Sequence, residues 1–212
     1  MARLREANTR QSVKTIGRYG YVPQVVLMVG TGEGNEWEVF KEAWPDVDVR
    51  GIEAHPKTAE LAGRKFNVIN AAVVQQDHGG RVSFYMRYRS PKRSSLPSRG
   101  AARDTEIKVD TITLDGYARK HDLFGKRIWL WMDCEGCELG AIMGGMELMK
   151  SVGWIQIETV EASGNRPSWP VASEVIPVVE SMGYEVAGDY RRKKRTGRCG
   201  DMLYRRTEGN EK

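Results

Sequence analysis

Apolar residues fall along this chain in two rhythms. Residues 25–29, VVLMV, form an unbroken apolar run that ends at Gly30. Five residues are too few for a helix, and an uninterrupted run suits a strand buried on both faces, so it predicts the first strand of a parallel sheet. Residues 35–44 then change period: Trp37, Phe40 and Trp44 share one helical face, and Pro45 and Asp46 stop the helix. Residues 47–53 predict a second strand. His55 and Pro56 open a helix that runs to about Lys65, and the β-branched run 68–74 predicts a third strand. This βαβαβ order with short links is the pattern of a parallel sheet covered on both faces.

The middle of the chain is less regular. Residues 81–88 and 106–113 alternate as strands do, with a polar, basic stretch at 90–103 between them, and together predict an insertion near 77–113 over the top of the sheet. The regular pattern returns with helix 114–121, strand 127–133, helix 138–150, strand 154–159 and helix 171–182, for which Gly183 is a fitting cap. Residues 184–189 and 201–206 predict two antiparallel strands closing the sheet. The fold class is therefore α/β, a Rossmann-like, mostly parallel central sheet with an antiparallel closing strand pair. It is expected to fill residues 25–206, after an N-terminal segment 1–24 and before a disordered tail 207–212.

A length of 212 residues suits one such sheet. Hydrophobic residues make up 40% and charged residues 29% of the chain, and no apolar run approaches the roughly 18 residues of a membrane span, so a soluble protein is expected. The N-terminus, MARLREANTR, lacks the apolar core of a signal peptide, which points to a cytoplasmic location. Three cysteines, Cys134, Cys137 and Cys199, suggest no disulfide framework. The net charge of +5 is concentrated in two stretches without acids, from Arg81 to Arg103 and from Arg191 to Arg198. These are either solvated loops or a surface for an anionic partner such as nucleic acid.

Chemistry gathers where the strands end. Gly30, Thr31, Gly32, Glu33, Gly34 and Asn35 lie between a strand and a helix, and Glu53 ends the next strand with Ala54 and His55 after it. In open α/β sheets ligands sit at the carboxyl ends of strands, where glycines admit the ligand and a carboxylate can grip ribose hydroxyls. A dinucleotide fold wants G-x-G-x-x-G. Here the glycines run G-x-G-x-G, which favours S-adenosylmethionine (SAM) over NAD. His55 is placed to flank the adenosine; His78 and His121 share no metal spacing with it.

A second constellation, residues 131–138, packs Asp133, Glu135 and Glu138 into six positions at the end of a strand that should be central. Such crowding of carboxylates marks a site more often than a stabilising feature. Asp133 or Glu135 is the candidate base, and Glu158 and Glu161, closing the fifth strand, are candidates for the acceptor pocket. A divalent ion held by Asp133, Glu135 and Glu158 is an alternative way to activate a hydroxyl. Cys134 and Cys137 have no second cysteine pair for zinc and read as small buried residues. A nucleic-acid methyltransferase using the basic stretches and a non-catalytic binding module remain open as rivals.

These residues resemble the FkbM-type SAM-dependent methyltransferases. The likeness runs in order through residues 25–35 (VVLMVGTGEGN), 51–56 (GIEAHP), 68–73 (VINAAV), 80–84, 94–96 (SSL), 109–115 (VDTITLD), 132–145 (MDCEGCELGAIMGG) and 154–158. The resemblance implies a class I methyltransferase fold and O-methylation of a hydroxyl on a small-molecule or sugar-containing acceptor. It also implies that Gly30, Gly32 and Gly34 border the methionine part of SAM, Glu53 the ribose, Ala71 and Ala72 the adenine, and that Asp133 faces the reacting centre. Where the family usually ends its first strand with an aspartate, this chain has Met28, and where it carries an asparagine inside the turn, this chain has Gly32.

Overall fold

A computed structural model describes residues 2–77, 79–87, 104–161, 171–194 and 197–207. The first element is a helix, α1 (Ala2–Arg18), within the N-terminal segment where the apolar pattern predicts none. The alternation then follows with β1 (Val25–Val29), α2 (Trp37–Ala43), β2 (Asp48–Glu53), α3 (Pro56–Gly63) and β3 (Asn67–Asn70).

The expected third strand, 68–74, divides. β3 pairs with β2, while β4 (Ala72–Val73) leaves for a second sheet. Asn70 is the cause: its Nδ2 donates to the carbonyls of Glu53 at 2.8 Å and Ala54 at 3.0 Å, so the chain turns there. The second sheet has the order β4-β6-β5, where β5 (Arg81–Arg87) runs antiparallel to β6 (Asp104–Ile112), so residues within the stretch 77–113 pair with each other and with β4. The segment 88–103 between them, which includes the SSL residues, lies outside the described residues, as does His78.

After α4 (Leu114–Lys120), capped by the Thr113 hydroxyl, come β7 (Ile128–Met132) and α5 (Glu138–Met143). The expected helix 138–150 stops early because Gly144 and Gly145 are pressed against neighbours. A Cβ on Gly144 would meet the Val74 carbonyl oxygen at 2.4 Å, and one on Gly145 the Leu114 Cβ at 2.7 Å. Asp115 then caps a short 3-10 turn at Leu148–Ser151, accepting from the amides of Glu147 and Leu148. β8 (Val152–Val160), α6 (Ala172–Ser181), β9 (Tyr184–Asp189), β10 (Arg192–Lys194) and β11 (Gly197–Arg206) complete the chain, and Gly183 ends α6 at φ +84.

The main sheet has the order β10-β11-β8-β7-β1-β2-β3, with β9 also on β11. Its β8-β7-β1-β2-β3 neighbours are parallel; β11 runs antiparallel to β8, β9 and β10, so the expected closing pair gains a third strand. Side chains of β1 alternate between two cores. Val25, Leu27 and Val29 face α4, α5 and α6, whereas Val26 and Met28 join Phe40, Trp129, Trp131, Trp154 and Ile16 under α1 and α2. Trp129 is locked edge-on by Phe40 and Trp44, with ring centroids 5.2 and 6.0 Å away. Among the described residues no helix is long and apolar enough to cross a membrane.

Candidate active site

β1 and β7 are adjacent and parallel, so the loops that follow them meet at one edge of the sheet. Gly30, Gly32 and Gly34 have φ of +80, +54 and +66, a region in which glycine avoids the steric cost of a Cβ. Gly30 also has no room for a side chain: its Cβ would lie 2.1 Å from the Asp133 carbonyl oxygen. Gly34 instead packs on Phe66 and Ala62. Thr31 is fully buried, its methyl filling the space over Gly51, and its hydroxyl donates to the Gly32 carbonyl at 3.1 Å. Glu33 is exposed, and Asn35 Oδ1 accepts from Lys65 Nζ at 3.4 Å.

Glu53 draws these pieces together. The Gly32 amide donates to its Oε2 at 2.7 Å and the His55 amide to its Oε1 at 2.8 Å, so one carboxylate fixes both the glycine turn and the β2–α3 turn. Met28 lies wholly inside the apolar layer beneath α1 and α2, where an acid would be stripped of water. The carboxylate that orders the turn therefore comes from the end of β2. His55 is buried, edge-on to Phe84 at 6.4 Å, and its Nδ1 has no hydrogen-bond partner. Burial lowers its pKa from the usual value, which favours the neutral imidazole. Ala71 and Ala72 are buried, and Ala72 packs with Phe84, Val109 and Ala54 in an apolar wall beside it.

The β7 loop is braced in the same manner. The Asp133 amide donates to the Val29 carbonyl at 2.9 Å. Glu135 takes φ +58, a left-handed conformation that costs a non-glycine residue about 1 kcal/mol, and Gly136 follows at φ +114. What holds this strained turn is Glu138, whose carboxylate accepts from the amides of Cys134 at 3.1 Å and Gly136 at 3.0 Å. Burial pushes the Glu138 carboxyl up to about 7, against the opposing pull of its backbone hydrogen bonds. Its bracing role was not evident from the crowding of acids alone. Burial also pushes the Cys134 thiol well up, so it is a poor nucleophile, and no disulfide joins the three cysteines.

Glu158 sits on β8 one strand from this loop, since β7 and β8 pair Met132 with Ile157. Its cross-strand neighbour is Asp201, a buried acid that the residue pattern did not single out. Cys199 Sγ donates to Glu158 Oε1 at 3.9 Å, and Asp201 Oδ2 accepts from Asn8 Nδ2 at 2.6 Å. Glu161 turns away to accept from the Arg198 amide at 2.9 Å. The metal-holding carboxylate trio is not assembled: among the described residues no group of three or more His, Cys, Asp or Glu is placed to hold an ion. Of the basic stretches, Arg81 pairs with Asp110, and Arg191 and Arg198 both pair with Asp189. Arg192 and Lys193 are exposed, while 88–103, 195 and 196 lie outside the described residues.

Residues 34–186 match the family model described as the Methyltransferase FkbM domain, which is more than half of the chain. The chain belongs to the FkbM methyltransferase family. No curated protein matches this FkbM member in sequence. Among solved structures it is similar to the plantazolicin methyltransferase BamL in complex with a triazolic desmethylPZN analog and SAH, at 8% identity and a TM-score of 0.57, covering 96% of this chain and 84% of that one. It is also similar to magnesium protoporphyrin IX methyltransferase from Synechocystis PCC 6803 with bound SAH, at 12% identity and a TM-score of 0.53, again over 96% and 84%. At such identities the likeness establishes the fold, that of the class I methyltransferases, and family membership establishes a SAM-dependent methyltransferase.

Proposed function

We propose that this FkbM methyltransferase transfers the methyl group of SAM to a hydroxyl oxygen of a small, uncharged acceptor. The observation that carries the reading is the backbone contact between Gly30 and Asp133, which joins the donor turn to the candidate base without an intervening side chain. The residues suit the cofactor: Glu53 stands at the carboxyl end of β2, the buried His55 Nδ1 offers an unused hydrogen-bonding position, and Ala72 supplies an apolar wall with Phe84 and Val109. When bound, SAM supplies an electrophilic sulfonium methyl.

The protein's task is then alignment and removal of one proton. Glu53 holds the ribose hydroxyls, and Gly30 and Gly32 admit the methionine portion at the end of β1. Asp133, with Glu135 as the nearby second carboxylate, accepts the acceptor's hydroxyl proton as the oxygen takes the methyl group. Glu138 keeps that loop in position, and Glu158 lines the acceptor side. A screen of hydroxylated small molecules, glycans and RNA for SAM-dependent methyl transfer, run on wild type and Asp133→Asn, tests the reading. The expected result is transfer to an uncharged hydroxylated acceptor by wild type, with turnover lost and SAH affinity kept in Asp133→Asn. Full activity in that variant, or transfer to RNA alone, overturns it.

A further inference from the structure

Asn8, Thr9, Ser12 and Ile16 share the inner face of α1. This face is anchored at two heights. Asn8 is tied to Asp201, and Ile16 joins the apolar cluster of Trp154 and Leu203, with the Tyr19 ring 5.4 Å from Trp154. On β8, Ile155 and Ile157 point into the opposite core, so Trp154, Gln156 and Glu158 face α1. The β8–β11 register sets Glu158 opposite Asp201 and Gln156 opposite Leu203. The two anchors therefore bracket Gln156, and Thr9 and Ser12 lie over the stretch of sheet between them.

Every polar group in this bracketed stretch is sealed from solvent. Thr9, Ser12 and Gln156 are each 0% exposed, and neither hydroxyl nor either end of the Gln156 amide has a hydrogen-bond partner. Buried polar groups are almost always paired, so several unmade bonds on two facing surfaces call for a ligand.

We propose that the layer between α1 and β8 is an acceptor-binding subsite and that α1 is the cover that closes over it. The proposal rests on the hydroxyl-acceptor reading above. Its groups are two hydroxyls, one amide and the carboxylates of Glu158 and Asp201, so it takes an uncharged molecule with several hydroxyls, whereas a phosphate would meet like charge. Release of the Asn8–Asp201 bond opens the layer beside the Asp133 loop, and the acceptor's hydroxyls take up the bonds that the closed layer leaves unmade.

The test uses Thr9→Val, Ser12→Ala and Gln156→Met, which keep side-chain volume close while removing the polar atoms, with methyl glucoside as probe and glucose 6-phosphate as its charged counterpart. With SAH present, wild type is expected to bind methyl glucoside in preference to the phosphate. Each variant should unfold at or above the wild-type temperature, because a buried unpartnered group is gone, yet bind methyl glucoside about tenfold more weakly. Unchanged affinity in the variants, or a wild-type preference for the phosphate, overturns the subsite. Hydrogen exchange in wild type gives a second reading that needs no variant: methyl glucoside should slow exchange in residues 8–16, and no slowing counts against the cover. Weaker binding in the variants together with no methyl transfer to any acceptor of the screen would strike the O-methylation reading and uphold the subsite. Transfer with an unchanged acceptor KM in all three variants would strike the subsite alone.

Discussion

Replacing Gly30 with alanine isolates the contact on which the active-site reading depends. The new Cβ would lie 2.1 Å from the Asp133 carbonyl oxygen and 2.7 Å from its carbon, whereas Cβ contacts below 3.0 Å essentially do not occur. One backbone must therefore retreat by about 1 Å, a displacement that costs roughly a hundredfold in rate when it shifts a reacting group. Retreat is resisted on both sides, by the Gly30 amide's bond to the Ile52 carbonyl and the Asp133 amide's bond to the Val29 carbonyl, each 2.9 Å. The alanine also carries the cost of φ +80, about 1 kcal/mol. Gly125 separates the two effects, because it has φ +76 and nothing within 4 Å of an added Cβ. Gly125→Ala should lower the melting temperature by about 3 °C and leave methyl transfer intact. Gly30→Ala should lower it further and reduce kcat about a hundredfold, measured with radiolabelled SAM. A Gly30→Ala enzyme with wild-type kcat, or a Gly125→Ala enzyme equally impaired, would show that the Gly30–Asp133 contact does not set the rate.

Three more outcomes follow from named residues. Because burial holds Glu138 up to about 7, above the ordinary 4.5, the folded state binds its proton more tightly than the unfolded chain. Its contribution to stability is therefore full below about pH 4.5, declines by about 3 kcal/mol as the pH rises to about 7, and is flat beyond. Urea unfolding across that range should show the decline in wild type and lose it in Glu138→Gln; a decline that survives the substitution contradicts the assignment. Met28→Asp, which restores the acid usual in the family, should destabilise the protein by about 3 kcal/mol or more without tightening SAH binding, since the position is sealed in the apolar layer. Unaltered stability with tighter SAH binding would show that this position reaches the turn. Asp115→Ala removes the acceptor for the Glu147 and Leu148 amides and should cost about 1 kcal/mol, read as a lower melting temperature with kcat unchanged.

The parallel strands were legible because burial on both faces demands runs such as VVLMV and IWLWM. Where reading failed, a polar or small residue overrode the period. α1 escaped notice because three of the four residues described on its inner face, Asn8, Thr9 and Ser12, are polar, so no apolar stripe marks it. The third strand looked continuous because its break depends on the Asn70 side chain reaching back to Glu53 and Ala54, a contact that no local pattern announces. The helix after β7 ended early on close approaches to Val74 and Leu114, both far away along the chain. That the glycine turn and Glu53 come together at the ends of adjacent strands was legible from order and spacing. That Thr31 and Gly34 point into packing, and that Glu138 braces the Asp133 loop, were not, because those roles depend on Gly51, Phe66 and the amides of Cys134 and Gly136.

The central claim is that a donor nucleoside is held between the Gly30–Gly34 turn and Glu53. Calorimetry of SAH with wild type and Glu53→Gln tests it most directly, because glutamine keeps the shape and removes the charged acceptor. Wild type should bind SAH, and Glu53→Gln should bind it ten- to about a hundredfold more weakly, the worth of a hydrogen bond to a charged group. No heat from wild type at high protein concentration, or equal affinity in the two proteins, would contradict the claim.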